Sequence, residues 1–319
     1  MSRIDELRFV VRVAHMYYEK GLNQPEIARQ LGFSQATVSR LLAQAKTEGI
    51  IRISIAMPQG VYSLLEEELV QKYRLCDAIV VDTIREDDER LVNKDIGLAA
   101  AYYLESAVKP NEMIGIASWS STLLALVDSM HPLQKKMGIQ VVQLMGGVGN
   151  PSAEVHANRL TSQLADLLKG TSVYLPAPGI VGSEAAQKVL CNDSYVQQTL
   201  KLFDHIDTAL VGIGVVEPSK LLADSGNVFS REELDMLKKK GAVGNIMLRH
   251  IDCDGQIVDT SLDKRVIAMS LEQLRNVKRS IGVAGGKRKY QGILAALKGR
   301  WVNMLITDQF TANRLLNEP

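Results

Sequence analysis

The first fifty residues carry three runs in which apolar side chains recur every three or four positions, as on one face of an amphipathic helix. The first run covers residues 7–18, and the second has Pro25 in its first turn. Gly32 breaks the chain before the third run, which Ser34 can cap and Gly49 ends. The pattern predicts three helices joined by short turns.

Residues 51–55 alternate between isoleucine and polar side chains, which predicts a half-buried strand directly after these helices. Residues 61–73 return to a helical period and include the acidic run 66–68. Such a run is usually a solvated helix face, although a helix of this kind can also join protomers or domains. We expect three parts: a domain over residues 1–56, a linker or oligomerisation helix over 57–75, and a larger domain over 76–319.

From Asp77 onward the pattern changes to short apolar strands that alternate with helical periods. Strands are predicted at residues 78–81, 113–117, 141–144, 172–175, 208–213, 280–283 and 304–307. Helical stretches between several of them predict an α/β fold, with a mostly parallel sheet covered on both faces. Small residues end three strands, at 115–118, 212–214 and 282–286, and ligands bind at the carboxyl ends of such strands.

Composition narrows the class of protein without deciding its function. The 319 residues carry a net charge of +1, and no stretch reaches the roughly 20 apolar residues that span a bilayer. Residues 1–56 hold eight Lys or Arg against five Asp or Glu, so a mildly basic head precedes a mildly acidic body. The three cysteines are too widely spaced for a disulfide framework or a CxxC metal site. We expect a cytoplasmic protein without a secretory leader, a membrane partner, a metal or a cofactor.

Residues 24–46 carry the strongest local signal, because two short helices separated by Leu31-Gly32-Phe33 fit a helix-turn-helix. In the major groove, Gln pairs with adenine, Arg pairs with guanine, and Ser or Lys holds phosphates. The candidate contacts to double-stranded operator DNA are Ser34, Gln35, Ala36, Thr37, Ser39, Arg40, Gln44 and Lys46. The alternative is an ordinary helical hairpin with a polar face, but residues 24–42 are similar to bacterial helix-turn-helix sequences at nearly every position.

Short motifs follow one another in a specific order along the chain. They are Thr37-Val38-Ser39-Arg40-Leu41-Leu42, Glu48-Gly49-Ile50-Ile51-Arg52-Ile53, Gly146-Gly147-Val148-Gly149, Leu175-Pro176-Ala177-Pro178, Gly241-Ala242-Val243-Gly244, Gly282-Val283-Ala284-Gly285-Gly286 and Thr307-Asp308. In their order and spacing they make the chain resemble the SorC family of sugar-responsive transcriptional regulators over essentially its whole length.

The resemblance implies a winged-helix-like DNA-binding domain and an effector domain related in fold to ribose-5-phosphate isomerase and glucosamine-6-phosphate deaminase. It also implies a phosphorylated sugar or a related metabolite as effector, and a homo-oligomer, with a tetramer favoured. Effector binding would change how the oligomer engages its operator. The candidate effector-binding residues are Ser118, Trp119, Ser120, Ser121, Thr122, Gly146, Gly147, Asn245 and Lys289.

The residues 118–122 lie between a strand and a helix that begins near Leu123. Hydroxyls and backbone N–H groups at a helix N-terminus suit a phosphate, although Ser120 or Ser121 could simply cap the helix. The family pattern resembles Gly-Trp-Gly here, so the serines at 118 and 120 are departures that could narrow the loop. Trp119 could stack on a sugar or belong to the core.

The remaining candidates come from three other loops. Gly146 and Gly147 would let the backbone approach the ligand. Asn245 follows the Gly-Ala-Val-Gly turn, and its amide can both donate to and accept from sugar hydroxyls. Lys289 would supply positive charge to a phosphate.

Alternatives to Lys289 lie next to it in the sequence. Lys287 and Arg288 are rivals for the phosphate, and all three could simply form a solvated basic loop.

The alternative function is a sugar-phosphate isomerase or deaminase with an appended DNA-binding head, which would need a general base and usually a second acid. The carboxylates considered for it, with His205 beside the first, are Asp207, Asp252, Asp259 and Asp308. They form no spacing typical of a catalytic set, and we expect a regulator and not an enzyme.

Overall fold

The chain divides into two compact units, Met1–Met57 and Pro58–Pro319. The computed structural model describes residues 3–51, 60–135, 137–258 and 261–318, and for residues 3–6 and 151–157 it describes the backbone alone. Beyond Ile51, the strand expected at 51–55 lies outside the described residues, and so does the wing of the expected winged helix.

The first unit consists of three helices in its described part. These are α1 (Arg3–Tyr18), α2 (Gln24–Leu31) and α3 (Gln35–Thr47). A capping box between Asn23 and Glu26 starts α2, and the Ser34 hydroxyl accepts a hydrogen bond from the Thr37 N–H at 3.1 Å to start α3. Ser34 is the expected N-cap, so this prediction is confirmed.

A tight turn between α2 and α3 brings the apolar faces of the helices together. Gly32 ends α2 with a φ of 67°, a conformation that favours glycine, and the Phe33 N–H donates to the Ala28 carbonyl at 2.9 Å. The Phe33 ring packs edge-on against Phe9, with the ring centroids 5.3 Å apart. The buried residues of this small core are Val10, Val13, Ala14, Met16, Ile27, Ala28, Val38, Leu41, Leu42 and Ala45.

Nine strands lie within the described residues of the second unit. They are β1 (Asp77–Val81), β2 (Met113–Ile116), β3 (Gln140–Gln143), β4 (Thr171–Val173), β5 (Thr208–Gly212), β6 (Ala242–Ile246), β7 (Arg249–Asp252), β8 (Arg279–Val283) and β9 (Met304–Asp308). Seven form one parallel sheet in the order β1-β9-β8-β5-β2-β3-β4. All five residues of β9 are buried; since successive side chains point to opposite faces, both faces are covered there. The α/β fold and the seven expected strands are confirmed.

Eleven helices belong to the described part of this unit. They are α4 (Ser63–Tyr73), α5 (Glu89–Ala107), α6 (Ser121–Ser129), α7 (Pro151–Leu167), α8 (Glu184–Cys191), α9 (Ser194–Leu200), α10 (Lys220–Asp224), α11 (Arg231–Lys239), α12 (Leu271–Asn276), α13 (Tyr290–Lys298) and α14 (Gln309–Asn317). A Cβ added to Gly97 of α5 would lie 2.7 Å from the Ala125 carbonyl carbon of α6, so glycine allows these helices to touch.

Strands β6 and β7 form an antiparallel hairpin that the sequence did not predict. The residues 241–244 were expected to form a turn, and this is wrong: only Gly241 turns, with a φ of 89°, and strand begins at Ala242. A Cβ on Gly244 would lie 2.5 Å from the Gly292 Cα, so glycine is needed where α13 crosses the hairpin. The hairpin escaped prediction because its turn uses Met247 and Leu248 at positive φ, where Asn-Gly is usual.

Helix α4, within the expected linker, packs against β1 and α14 inside the second unit. Leu69 is fully buried there, and the Tyr73 hydroxyl donates to the Leu315 carbonyl at 2.7 Å. Glu66, the first residue of the acidic run, accepts a hydrogen bond from the Val80 N–H at 2.9 Å. Whether α4 also joins protomers stays a prediction.

The described ranges contain neither a candidate membrane span nor a candidate metal cluster. No helix there combines the length and the apolar composition that crossing a membrane requires. No group of three or more His, Cys, Asp or Glu side chains in those ranges is arranged to hold a metal ion.

His250 of β7 is an ionisable side chain inside the core of the second unit. It is only 2% exposed and lies beside Phe229, with the ring centroids 5.7 Å apart. Burial lowers the pKa of His250 to about 4 from its ordinary 6.5, an effect that the Leu248 carbonyl partly opposes. The folded protein therefore holds this histidine neutral where the unfolded chain would bind a proton.

We predict that His250 makes folding sensitive to acid. Between the pKa of the unfolded chain, 6.5, and that of the folded protein, about 4, only the unfolded chain binds the proton, so stability falls as the pH decreases. The full loss should be about 3 kcal/mol and should be absent from His250→Phe. Urea unfolding at pH 7 and pH 4.5 measures it, with His131→Gln, whose side chain is 83% exposed, as the control that keeps the loss. The same acid sensitivity in His250→Phe and in the unmutated protein would contradict the assignment.

Candidate functional site

The order of strands in the parallel sheet reverses direction between β2 and β5. From β2 the chain continues through β3 and β4 to one edge of the sheet, and from β5 it continues through β8 and β9 towards the other. The loops that leave the carboxyl ends of β2 and β5 therefore diverge. A cleft with about 690 Å³ of space free of protein atoms, part of it open to solvent, lies between these loops.

The lining of the cleft contains three kinds of side chain. The hydroxyl and amide side chains are Ser118, Ser120, Ser121, Thr122, Ser219 and Asn245. The charged side chains are Glu89, Glu217, Arg288 and Lys289. The apolar side chains are Ala117, Trp119, Met145, Ile213, Val215, Pro218, Leu222, Met247 and Leu248. An apolar wall with a few convergent polar groups is typical of a site for a small molecule.

The loop after β2 holds its residues in fixed positions. The Ser118 hydroxyl donates to the Met145 carbonyl at 3.2 Å and accepts from the Gln143 side-chain amide at 3.1 Å. Trp119 has a φ of 64°, is 4% exposed, and its buried Nε1 has no hydrogen-bond partner among the described residues. A Cβ on Gly212 would lie 2.6 Å from the Ser120 Oγ, so glycine at the end of β5 leaves room for that serine.

Helix α6 begins at this loop and points its N-terminal turn at the same site. The Ser120 hydroxyl accepts a hydrogen bond from the Leu123 N–H at 3.2 Å and so caps the helix. Capping by Ser120 was the expected alternative to a phosphate site. This cap satisfies one N–H group, while the first N–H groups of a helix have no partner within the helix itself. Capping and anion binding are therefore compatible at this terminus.

Lys289 is the one member of the basic trio that is buried, at 7% exposure. Its Nζ donates to the Asn93 Oδ1 at 3.1 Å and to the Thr122 Oγ1 at 3.3 Å, and it lies 3.4 Å from a Glu89 carboxylate oxygen. Burial lowers the pKa of Lys289, whereas Glu89 acts in the opposite direction. Lys287 is exposed and does not line the cleft; Arg288 is exposed but does line it. The picture of a solvated loop is therefore wrong for Lys289.

Asn93 is a site residue that the sequence reasoning missed. It lies 8% exposed on α5, accepts from the Thr122 hydroxyl at 2.8 Å, and donates to the Ser121 hydroxyl at 3.2 Å. It thus joins Lys289 to the first turn of α6. The signal was available, because Asn93 is a polar residue on the face of α5 that otherwise carries Val92 and Ile96.

Asn245 connects the β6–β7 hairpin to the loop after β5. Its side-chain amide donates to the Val215 carbonyl at 2.5 Å, and its backbone exchanges hydrogen bonds with Gly214 at 2.9 and 3.0 Å. Asn245 lines the cleft, and it does so from within a strand and not after a turn.

Gly146 and Gly147 are outside the set of residues that lines the cleft, although Met145 belongs to it. A Cβ on Gly146 would lie 2.4 Å from the Pro178 carbonyl oxygen and 2.5 Å from that of Ala177. The Val148 N–H donates to the Ala177 carbonyl at 3.1 Å, which places Gly147 opposite Pro178 in a β-bridge. The close packing of these two loops, and not the approach of a ligand, therefore explains why small residues stand here.

The carboxylates considered for an enzyme serve other purposes. Asp207 accepts from the Met113 N–H at 3.0 Å, before β5 and hence at the amino end of the sheet, opposite the cleft. Asp252 accepts from N–H groups of its own turn, and buried Asp308 caps α14. Asp259 lies outside the described residues. The two carboxylates that do line the cleft are each close to a cation, Glu89 to Lys289 and Glu217 to Lys238 at 2.7 Å, which lowers the pKa of Glu217.

The outer face of α3 carries the DNA-contact candidates. Gln35, Ala36, Ser39, Arg40 and Lys46 are exposed on it. The other three are engaged locally: Ser34 and Thr37 share a hydrogen bond at 2.9 Å, and the half-buried Gln44 donates to Glu48 at 2.9 Å.

Comparison with known proteins gives consistent results for the two units. The family model Sugar-bind, described as a sugar-binding domain, matches residues 59–317. The sorbitol operon regulator of Klebsiella pneumoniae is 31% identical over 322 residues, which cover 99% of this chain and 100% of that protein. The deoxyribonucleoside regulator of Bacillus subtilis is 33% identical over 308 residues, 97% of each chain.

A solved structure gives the same result for the fold. The crystal structure of the full-length sorbitol operon regulator SorC from Klebsiella pneumoniae superposes with a TM-score of 0.74 at 30% identity, over 98% of this chain and 99% of that one. The match spans the helix-turn-helix and the parallel sheet alike. This chain therefore belongs to the SorC family of sugar-binding transcriptional regulators.

Proposed function

We propose that this chain is a DNA-binding regulator of a carbohydrate-metabolism operon, and that its effector is a phosphorylated sugar or polyol bound in the cleft. The observation that carries the effector class is the Lys289 ammonium group, buried at the first turn of α6. A buried ammonium is costly unless it is paired, and Glu89 at 3.4 Å is its ionic partner among the described residues. A phosphate there would gain the ammonium charge and the helix N-terminus together.

The rest of the cleft suits the carbon chain of such an effector. Ser219 and Asn245 offer hydroxyl and amide groups to sugar hydroxyls, while Met145, Ile213 and Leu222 offer apolar surface to the C–H groups. Trp119 supplies an indole N–H that has no protein partner among the described residues, and a ligand oxygen would satisfy it. These features favour a small polar molecule with an anionic end.

Operator binding is proposed for the outer face of α3. Gln35, Ser39 and Arg40 lie there within two turns, as the second helix of a helix-turn-helix requires for base contacts. A homo-oligomer, with a tetramer favoured, would present two such helices to two half-sites of a palindromic operator.

We assign binding and not catalysis to the cleft. The carboxylates among its described lining, Glu89 and Glu217, each lie beside a cation, and no described pair of them forms an acid–base set. Incubation with sugar phosphates should give no isomerisation or deamination. Turnover that depends on one of these carboxylates would establish the enzyme alternative.

The first prediction here concerns the anion site. A thermal-shift screen of phosphorylated sugars and polyols should find ligands that stabilise the protein. For the best of them, Lys289→Met should weaken binding about 10- to 100-fold, since it removes a charge-assisted hydrogen bond, and should weaken the unphosphorylated analogue far less. Calorimetric titration measures both, and Lys287→Met, the exposed neighbour, serves as the matched control. Equal losses for the two ligands would remove Lys289 from the phosphate site.

A second prediction concerns the operator. On a duplex selected by the unmutated protein from a random pool, Arg40→Ala should weaken binding by about 5- to 100-fold, the range of a lost base or phosphate contact. Affinity for the effector should not change. Fluorescence anisotropy at several salt concentrations measures the loss and the salt slope, with Lys298→Ala as a control of equal charge in the other unit. Unchanged affinity at matched salt would exclude Arg40 as a contact.

A further inference from the structure

The Glu89 carboxylate lies where an anionic ligand would have to bind. It is the first residue of α5, it lines the cleft, and its two oxygens lie 3.4 Å from the Lys289 Nζ and 3.7 Å from the Arg288 guanidinium. Glu89 thus bridges the two cations of the cleft. Its side chain is 40% exposed, so it can turn outward without leaving a cavity in the core.

A phosphate and this carboxylate compete for the same partners. Both are anions, and two like charges that share one binding site disfavour each other. A phosphate on Lys289 would therefore favour a state in which the Glu89 carboxylate has moved away. A ligand shifts a conformational equilibrium only by such a difference in contacts between two states.

The segment 82–88, directly before Glu89, is bonded to residues near the start and the end of the second unit. The Asp82 carboxylate accepts from the Tyr62 hydroxyl at 2.8 Å and from the Gln309 side-chain amide at 3.1 Å. Gln309 also bonds to both backbone groups of Thr83, at 2.9 and 2.7 Å. Tyr62 comes two residues after Gly60, where the described part of the second unit begins. One short segment therefore carries the cleft carboxylate at one end and, at the other, is bonded to Tyr62 near the start of the second unit.

We propose that Glu89 is an internal competitor of the effector phosphate, and that its displacement is relayed through the segment 82–88 and the Asp82–Tyr62 hydrogen bond to Tyr62, near the start of the second unit. The inference rests on the proposed function and adds its regulation. Without effector, Glu89 pairs with Lys289 and Arg288. With effector, the phosphate takes the cations, and the start of α5 is released.

The first test removes the competing charge. Glu89→Gln should bind inorganic phosphate about three- to tenfold more tightly than the unmutated protein, because one partly exposed anion no longer competes. Its operator affinity without effector should move towards the value of the effector-saturated unmutated protein. Asp95→Asn on the same helix changes the net charge equally, lies outside the cleft lining, and should alter neither quantity. Calorimetry with phosphate and anisotropy with the selected duplex give the two readouts.

The second test cuts the relay without touching the cleft. Tyr62→Phe removes the hydroxyl that donates to Asp82 and leaves every cleft side chain in place. The affinity for phosphate should stay within about twofold, whereas the effect of the effector on operator affinity should fall at least fivefold, the low end of usual allosteric couplings.

The outcomes separate the inference from the function on which it rests. Unchanged phosphate affinity in Glu89→Gln overturns the competition, and a full effector response in Tyr62→Phe overturns the relay. If the unmutated protein binds neither phosphate nor phosphorylated sugars by calorimetry, the proposed effector class itself fails.

Discussion

The reversal of strand order between β2 and β5 is the constraint on which the second unit depends. The chain continues from β2 towards one side of the sheet and from β5 towards the other. The loops that follow these two strands therefore lead away from each other, and a cleft opens between them. The glycines of the fold serve this arrangement. Gly97 lets α5 and α6 touch, Gly212 leaves room for Ser120, and Gly244 lets α13 cross the hairpin.

The charge in this cleft is balanced by the protein itself. Lys289 is held by Asn93 and Thr122, and its positive charge is met by Glu89. A buried ammonium is costly unless it is paired, and this one has a counter-ion that is itself partly exposed. The proposed exchange of Glu89 for an effector phosphate depends on this partial exposure, because a rigid and fully buried counter-ion could not move away from Lys289.

Much of the fold could be predicted from the pattern of residues. The helix-turn-helix follows from local signals: the capping residue Ser34, the left-handed Gly32 and a three-to-four-residue apolar period. The seven parallel strands follow from short apolar runs that occupy a fully buried sheet. The β6–β7 hairpin could not be predicted, since Met247 and Leu248 carry no turn signal and their positive φ is imposed by the surrounding packing.

The sequence by itself determined the elements and the residue types at the ends of strands, because period, caps and glycines act over a few residues. These local signals, together with the family resemblance, placed Ser120–Thr122 and Lys289 among the site candidates. Only the tertiary structure decided that Asn93 and Glu89 join them, that Gly146 and Gly147 pack against another loop, and that Lys289 and not Lys287 is buried. These facts depend on contacts between segments far apart in the chain, which no local pattern encodes.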